Sequence, residues 1–334
     1  MKLLSVLRPL ASSATGCAFL SRSSSKAFSP ALLPQTSRFR DHQLRSMASN
    51  DSNKSADASK GQFDAEASKI YKIISENHRH PSGPWVTMLD QVHNYADNIL
   101  QRKDIRVLDL ATGPGEPAET IARQFPDATV IATDVSPDQI AIAEQTTLTL
   151  PHMTAQVADM ADLHQFDNDT FDVVTCCYGF MFASDIPRAV RESYRVLKPG
   201  GRLIATTWNK VTMLEKARAI MERVLGELPP PPPINPLTLK EPGLFESMLT
   251  DAGYSNVETA AHEYPMDLTK DPEHQFQAAT MIIKASLDEI DGGWEKARLA
   301  YDAVKYDHGE YNDQGHWILP GNEYKLTVAT KKLA

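Results

Sequence analysis

The stretch from Val107 to Ala118 joins an apolar run to a glycine turn, and it limits the folds open to this chain. Arg106–Leu110 reads as a short buried strand, and a Gly-x-Gly turn made by Gly113 and Gly115 follows it. Glycine lets the backbone turn sharply and lets a ligand approach without a Cβ in the way. The helix expected after the turn would point its first amides at that ligand. The pattern predicts a nucleotide-type pocket on an α/β sheet.

An acid inside the strand narrows the choice of ligand. A dinucleotide fingerprint has three glycines, and Ala118 stands at the third position, a substitution that the pattern tolerates. Asp109, four residues before Gly113, would repel a pyrophosphate. It would suit a cationic ligand such as S-adenosylmethionine, which carries a sulfonium and an ammonium group. The stretch resembles motif I of the class I S-adenosylmethionine-dependent methyltransferases, although a plain tight turn is the alternative interpretation.

Three further stretches resemble that family in the expected order. Thr129–Asp134 is a second apolar strand that ends in an acid, and a carboxylate there can accept both ribose hydroxyls. Asp159, in the run Val157–Met160, stands where the family contacts the adenine amino group. Val196–Leu203, with its Lys-Pro-Gly-Gly turn, resembles the entry to the fifth strand. A surface or capping carboxylate is the alternative for each acid taken singly.

The resemblance implies two sets of site residues. The predicted contacts to the cofactor S-adenosylmethionine are Asp109, Ala111, Gly113, Gly115, Asp134, Val135, Asp159, Met160 and Cys176. The predicted contacts to the acceptor are Tyr71, Trp85, Tyr178, Phe180 and Met181. Aromatic faces among the latter could cradle a sulfonium by cation–π contact. Packing in the core is the alternative for any one of these rings.

Segments of strand and helix character alternate between residues 106 and 208. Such alternation indicates parallel β-α-β units. We predict an α/β fold, a Rossmann-like, doubly wound, mostly parallel seven-stranded sheet, with Tyr324–Thr330 as an antiparallel last strand. Two segments, 211–243 and 270–320, are expected as helical lid insertions that cover the pocket and select the substrate. Peripheral packing is the alternative, and the run Gly315–Gly321 is expected to be a closing loop.

The residues before the first strand suggest a further cover. Phe63–Asn77 has helical spacing and resembles the first helix of quinone-biosynthesis-type C-methyltransferases, which lids the cofactor. An amphipathic helix packed on the domain is the alternative. A second helix is expected over Trp85–Arg102.

Methyl transfer is an in-line displacement, so the protein must align the reactants and exclude water. A general base is needed only where the acceptor loses a proton. Tyr178 and His316 are the candidates for a catalytic role, and the acid–base group is otherwise unknown. His78, His80 and His274 also flank the pocket, where solvent-facing or capping roles are the alternative.

The first 46 residues differ in composition from the rest of the chain. They hold seven basic residues and one acid, Asp41, whereas the 334-residue chain has a net charge of −9. Such a segment is typical of an organellar transit peptide, with a mitochondrion favoured over a plastid, and an untargeted tail is the alternative. Residues 47–62 read as a disordered linker and residues 63–334 as the methyltransferase domain. Initiation at Met47 would give a cytosolic form.

Composition also excludes several classes of protein. An acidic body argues against nucleic-acid binding, and the lack of 18 consecutive apolar residues argues against a membrane span. The three cysteines, Cys17, Cys176 and Cys177, make neither a disulfide framework nor a zinc site, so no metal is expected. The partner is therefore a small molecule, and the oligomeric state is left open.

Three hypotheses differ in the use made of the pocket. The first is methyl transfer to a small molecule, either a quinone precursor methylated at carbon or a thioether acid such as 4-methylthio-2-hydroxybutyrate methylated at sulfur. The second is a catalytically silent assembly factor on the same scaffold, which the intact Asp109, Asp134 and Asp159 disfavour. The third is a nicotinamide-dependent oxidoreductase, which Asp109 and the lack of a Tyr-x-x-x-Lys pair disfavour.

Overall fold

The computed structural model describes residues 71–72, 74–228, 235–268, 271–307 and 309–333. The predicted transit segment, the linker and the boundary at residue 63 lie outside these residues. A single mixed sheet runs through the described part. Its strands are β1 (Arg106–Leu110), β2 (Thr129–Asp134), β3 (Met153–Val157), β4 (Phe171–Cys177), β5 (Leu197–Lys210), β6 (Tyr254–Asp267), β7 (Glu310–Tyr311) and β8 (Trp317–Lys331).

The sheet order places a crevice between two neighbouring strands. The order is β3-β2-β1-β4-β5-β8-β6, with β7 paired to β8, and β1 to β5 are parallel. The chain winds outward from β1 in one direction through β2 and β3, and then returns to β4 on the other side of β1. Ligands of open α/β sheets bind outside the carboxyl ends of the strands at such a switch point. The predicted Rossmann-like sheet is confirmed, with the two-residue β7 as an addition.

The central strands β1 and β4 form where apolar and β-branched side chains leave almost no exposed face. All seven residues of β4 are buried, as are the last four of β1. Strands covered on both sides read as continuous apolar runs because helices pack on both faces. The last strand, β8, is antiparallel to β5 and β6, as predicted, but begins at Trp317, seven residues earlier than expected.

Nine α-helices connect or flank the described strands. They are α1 (Pro84–His93), α2 (Ala118–Gln124), α3 (Pro137–Thr147), α4 (Ile186–Val196), α5 (Thr212–Leu225), α6 (Leu244–Asp251), α7 (Pro272–Thr280), α8 (Lys284–Asp288) and α9 (Gly293–Val304). Side-chain caps fix three of the starts: Ser136 accepts from the Gln139 amide, Asp185 from the Arg188 amide and Asp271 from the Glu273 amide. Proline in the first turn supports all three, since its missing donor costs nothing there. The start of α3 is therefore set three residues after β2 ends.

Two expectations differ from the structure in detail. The helix predicted over Trp85–Arg102 is α-helical only to His93, and Asn94–Leu100 continues as a π-helix. The run Gly315–Gly321 is not a closing loop, because residues from Trp317 onward belong to β8 and pair with β7 and β6. Trp317 and Leu319 alternate inward and are 2% and 0% exposed. This alternation of buried side chains favours a strand, and it outweighs the tendency of the glycines and the proline to form a turn.

The helical insertion after β6 carries its own small core. Helices α5, α7, α8 and α9 share a cluster of buried apolar residues that includes Ile220, Phe276, Leu287 and Tyr301. In the described residues, no helix has both the length and the apolar character needed to cross a membrane.

Candidate functional site

A cavity opens at the carboxyl ends of β1 to β4, at the switch point of the sheet. Its wall combines the turn after β1, the ends of β2 and β3, and the loop after β4. The lining residues are Tyr71, Ala111, Gly113, Asp134, Val135, Ser136, Gln139, Ala158, Asp159, Met160, Cys177, Tyr178, Gly179, Phe182, Ala183 and Ser184. These residues lie far apart in the sequence, and the strands of the sheet bring them together in the wall.

The glycine turn is pinned to the end of β2. One oxygen of Asp134 accepts from the Gly113 amide at 2.9 Å, and the other accepts from the Ser136 amide at 2.9 Å. The Thr112 amide donates to the carbonyl of Thr133 at 2.9 Å. Burial raises the pKa of Asp134, and the amide hydrogen bonds oppose that rise. The carboxylate therefore holds the turn in place and still has lone pairs for a ligand.

Gly113 is the position where the turn needs glycine. Its φ is +57°, and a Cβ there would lie 3.5 Å from the ring of Tyr71 and 3.9 Å from the Gln139 amide oxygen. Residues other than glycine rarely adopt this backbone conformation. The bare backbone leaves a cradle into which a flat or flexible ligand group fits.

Two residues without glycine's freedom flank the same cavity. Ala111 has a φ of +51° and Tyr178 has a φ of +55°. Tyr178 is held in this conformation from β5, because its amide donates to the Thr206 hydroxyl at 3.1 Å. Residues in the left-handed region cost roughly 1–3 kcal/mol each and cluster at functional sites. The backbone is thus under strain on both sides of the cavity.

Asp159 closes the cavity at the end of β3. Its carboxylate accepts from the Ala161 amide at 2.8 Å and from the Ser184 hydroxyl at 3.3 Å. The second contact ties the β3 loop to the loop after β4. Together with Asp134 it provides acceptors on two neighbouring strand ends, a spacing that suits a ribose and an attached base.

Asp109 stands behind the wall rather than in it. It is fully buried within β1, and its carboxylate accepts from the Thr175 hydroxyl at 2.6 Å. Burial raises its pKa to about 7, against which the hydrogen bond from Thr175 acts. Near neutral pH the group therefore exists in both protonation states, and its direct contact with a cationic ligand remains a prediction.

The buried carboxyl makes a testable link between pH and stability. Its pKa is near 4 when the chain is unfolded and about 7 when folded, so the folded state binds more protons between those values. Stability from this group is fully present below pH 4 and is lost as the pH rises to 7. We expect urea unfolding of the wild type to lose about 2 kcal/mol more than Asp109→Asn between pH 5 and pH 8. Parallel pH profiles for the two proteins would contradict the assigned burial.

Two other predicted cofactor contacts lie outside the cavity wall. A Cβ at Gly115 would lie 3.3 Å from that of Ala143, so this glycine faces α3. Cys176 and Cys177 point to opposite faces of β4, and Cys177 lines the cavity. Ala111, Gly113, Asp134, Val135, Asp159 and Met160 line the cavity, and their contact with the cofactor stays a prediction.

Of the predicted acceptor contacts, Tyr71 and Tyr178 line the cavity. The other three are core residues. Trp85 is buried edge-on against His78, with ring centroids 5.4 Å apart, and Phe180 packs on Phe245 at 5.2 Å. Met181 is 4% exposed and does not line the wall.

His316 is not placed for a catalytic role. It lies in the β7–β8 turn, and its ring nitrogen is 2.7 Å from the carboxylate of Asp267. Neither residue lines the cavity. The pair fastens the hairpin to the end of β6.

No sequence pattern marks several of the lining residues as part of the site. Gly179 is packed so closely that a Cβ would lie 2.6 Å from both the Ala111 Cβ and the Cys176 sulfur. Ser136 and Gln139 come from the start of α3, and Ser184 comes from the loop after β4. Strand parity could have separated Cys177 from Cys176. The position of Gly179 could be found only from the fold.

Behind Tyr178 lies a cluster of buried rings, the aromatic cluster, made of His78, Trp85, Tyr178, Trp208, Tyr264 and Tyr324. The Tyr178 and Trp208 rings are stacked, with centroids 3.8 Å apart and planes 8° apart. His78 meets Tyr178 edge-on at 5.3 Å and shares a 2.9 Å hydrogen bond with the Tyr264 hydroxyl. Burial lowers the pKa of His78 to about 3, so its ring is neutral across the physiological range.

An ion pair joins the segment before α1 to the glycine turn after β1. Arg79 contacts the carboxylate of Glu116, which follows the glycine turn, and lies 4.8 Å from the centre of the Trp85 ring. The other oxygen of Glu116 accepts from the Thr120 amide at 3.1 Å. Burial raises the pKa of Glu116, while Arg79 acts in the opposite direction. The ion pair therefore fixes the residues before α1 against the turn after β1.

The described residues contain no group of three or more histidine, cysteine or carboxylate side chains placed to hold a metal ion. The cavity instead offers a glycine cradle, strand-end carboxylates and aromatic rings. This set suits S-adenosylmethionine, and the resemblance implies that Asp134 would face the ribose, Asp159 the adenine, and the cradle at Gly113 the methionine part.

Comparison with known proteins agrees with this arrangement. Residues 107–201 match the family described as a methyltransferase domain. Demethylmenaquinone methyltransferase of Thermus thermophilus is 37% identical over 112 residues, which cover 32% of this chain and 49% of that protein. The ubiquinone/menaquinone biosynthesis C-methyltransferase UbiE of Geobacter sulfurreducens is 37% identical over 103 residues, which cover 30% of this chain and 40% of that protein. The chain thus spans half or less of the length of these relatives. The matched region holds the glycine turn and both strand-end acids, and the comparisons support a methyltransferase domain of the class I S-adenosylmethionine-dependent type over residues 107–201.

Proposed function

We propose that the protein transfers a methyl group from S-adenosylmethionine to a small molecule bound at the Tyr178 end of the cavity. The observation that carries the proposal is the Asp134 carboxylate, which holds the amide of Gly113 at 2.9 Å while lining the same cavity. A turn and an acid coupled in this way suit the ribose of a nucleoside. The intact turn and acids favour an active enzyme over a silent scaffold.

The residues of the chain act mainly by position. The cofactor supplies the electrophilic methyl group when bound. Asp134 and Asp159 fix its nucleoside, and the strained loop at Tyr178 faces the acceptor. Alignment of the acceptor and exclusion of water are the chain's contribution to the rate.

Two acceptor classes follow from the comparisons and from the chemistry of the family. The named relatives act in quinone biosynthesis, which supports a quinone precursor. A thioether acid such as 4-methylthio-2-hydroxybutyrate is the second candidate, because a thioether accepts a methyl group without the help of a base. Among the described lining residues none is lysine or arginine, so a carboxylate on the acceptor would lack a charged partner there.

The experiment has two stages. Isothermal titration with S-adenosylhomocysteine tests the cofactor site, and a folded protein that does not bind it overturns the proposal. Binding of NADH in its place would indicate an oxidoreductase. Incubation with methyl-labelled cofactor and a metabolite extract then identifies the acceptor. Cofactor binding without transfer to any metabolite would support the silent assembly factor.

We also propose an organellar address in residues 1–46, with a mitochondrion favoured over a plastid. The support is the excess of basic over acidic residues in that segment of an otherwise acidic chain. A fusion of residues 1–60 to a fluorescent reporter is expected to enter an organelle, as fluorescence microscopy of the native type of cell would show. A reporter spread through the cytosol would refute the address and leave the enzymatic proposal unaffected.

A further inference from the structure

Tyr178 meets the cavity through its ring rather than through its hydroxyl. The residue lines the cavity but is only 4% exposed. Its hydroxyl oxygen is buried and makes no well-formed hydrogen bond to another described residue. A ligand in the cavity therefore meets ring carbons, while the hydroxyl lies inside the aromatic cluster.

The ring is held rigidly by its neighbours. Trp208 covers one of its faces at 3.8 Å, and the rings of His78 and Tyr324 abut it edge-on at 5.3 Å and 6.0 Å. The Tyr178 amide is bonded to Thr206 of β5. This Tyr178–Trp208 stack is an electron-rich platform, and such ring systems attract cations that have lost their water.

The groups around the platform are uncharged at neutral pH. Burial raises the pKa of the Tyr71 and Tyr178 hydroxyls and of the Cys177 thiol, and lowers that of His78 to about 3. Burial likewise raises the pKa of Tyr264 and Tyr324, which face Tyr178 from β6 and β8.

The carboxylates of the cavity stand at the ends of β2 and β3, whereas Tyr178 follows β4. Asp134 accepts from the amides of Gly113 and Ser136, and Asp159 accepts from the Ala161 amide and the Ser184 hydroxyl. None of the described lining residues is a lysine or an arginine, so the Tyr178 end has no fixed cation.

The geometry points to an acceptor that reacts as an uncharged thioether or tertiary amine, with the Tyr178–Trp208 stack holding the positive charge on both sides of the transfer. This inference rests on the proposed function. A lone pair of the acceptor forms a bond to the methyl carbon as the bond from that carbon to the cofactor sulfur breaks. The electron pair stays on the cofactor sulfur, the positive charge moves to the acceptor, and no proton is released.

The first test compares three probes with the full chain once binding of S-adenosylhomocysteine has been shown. The probes are methyl propyl sulfide, 4-methylthio-2-hydroxybutyrate, and 1,4-naphthohydroquinone, which must lose a proton. Transfer to a thioether is expected, with no acid released to an indicator dye. Preference for the neutral sulfide over the acid would agree with the uncharged wall. Cofactor binding without transfer to either sulfide, or transfer only to the hydroquinone with acid release, overturns the inference.

The second test asks whether the ring or the hydroxyl matters. S-adenosylmethionine carries the sulfonium charge and S-adenosylhomocysteine does not, so the ratio of their affinities reports on the platform. In Tyr178→Leu this ratio should shift against S-adenosylmethionine by roughly 3- to 30-fold, and in Tyr178→Phe it should be restored. Tyr178→Met replaces the leucine variant if the latter does not fold.

Tyr264→Phe is the matched control, because it removes a hydroxyl of the aromatic cluster that does not line the cavity. It should keep the wild-type ratio. A ratio unchanged in Tyr178→Leu would show that the ring does not hold the sulfonium charge, and an activity lost equally in Tyr264→Phe would show that the hydroxyls of the aromatic cluster carry the function.

Discussion

Gly113→Val is expected to weaken the binding of S-adenosylhomocysteine by more than about 100-fold, which corresponds to about 2.7 kcal/mol. The valine would have to adopt a φ of +57°, which costs a branched residue roughly 1–3 kcal/mol. Its side chain would also fill the cradle between Tyr71 and Gln139, where the ligand belongs. Isothermal titration of the folded variant is the measurement.

The matched control is Gly226→Val. Gly226 has a similar φ of +76° at the end of α5, and a Cβ there meets nothing within 4 Å. This variant shares the backbone strain and leaves the cavity unchanged, so it should lose stability but keep its affinity. If Gly113→Val binds as well as the control, the turn is merely structural and the cofactor binds elsewhere.

Asp134→Ala is expected to weaken cofactor binding by roughly 1.5–3 kcal/mol, since charge-assisted hydrogen bonds to the ribose would be lost. The carboxylate also accepts from the amides of Gly113 and Ser136, so its loss loosens the turn as well. The affinity is measured by titration, and the melting temperature reports any effect on the fold.

Asp185→Ala provides the comparison for this prediction. Asp185 also accepts from a backbone amide, that of Arg188 at 2.9 Å, but it caps α4 and does not line the cavity. Asp185→Ala should lower the free energy of unfolding about as much as Asp134→Ala does. It should leave the affinity for the cofactor unchanged. An unchanged affinity in Asp134→Ala would mean that the ribose lies away from the end of β2.

The central sheet could be predicted from the sequence because its strands are short apolar runs, each ended by a turn or an acid. Arg106–Leu110 and Phe171–Cys177 have the bounds that their apolar runs suggested. The edge of the sheet could not be predicted so well. Trp317 and Leu319 stand among glycine, proline and histidine, and only pairing with β6 and β7 makes them a strand.

The parts of the candidate site that a single strand or turn provides could be predicted from the sequence. The parts where several elements come together could not. The turn at Gly113 and the acids Asp134 and Asp159 follow from local patterns. The aromatic cluster does not, because His78, Tyr178 and Tyr264 are far apart in sequence and meet only through the fold. The burial of a side chain, which shifts its pKa, also depends on residues that are distant in the sequence.

The ion pair between Arg79 and Glu116 has a consequence for the timing of motion in the protein. It joins residues just before α1 to the turn after β1, so the turn can open only if the ion pair breaks. A ligand that fixes the turn would then slow amide hydrogen exchange in residues 74–79, although none of these residues lines the cavity.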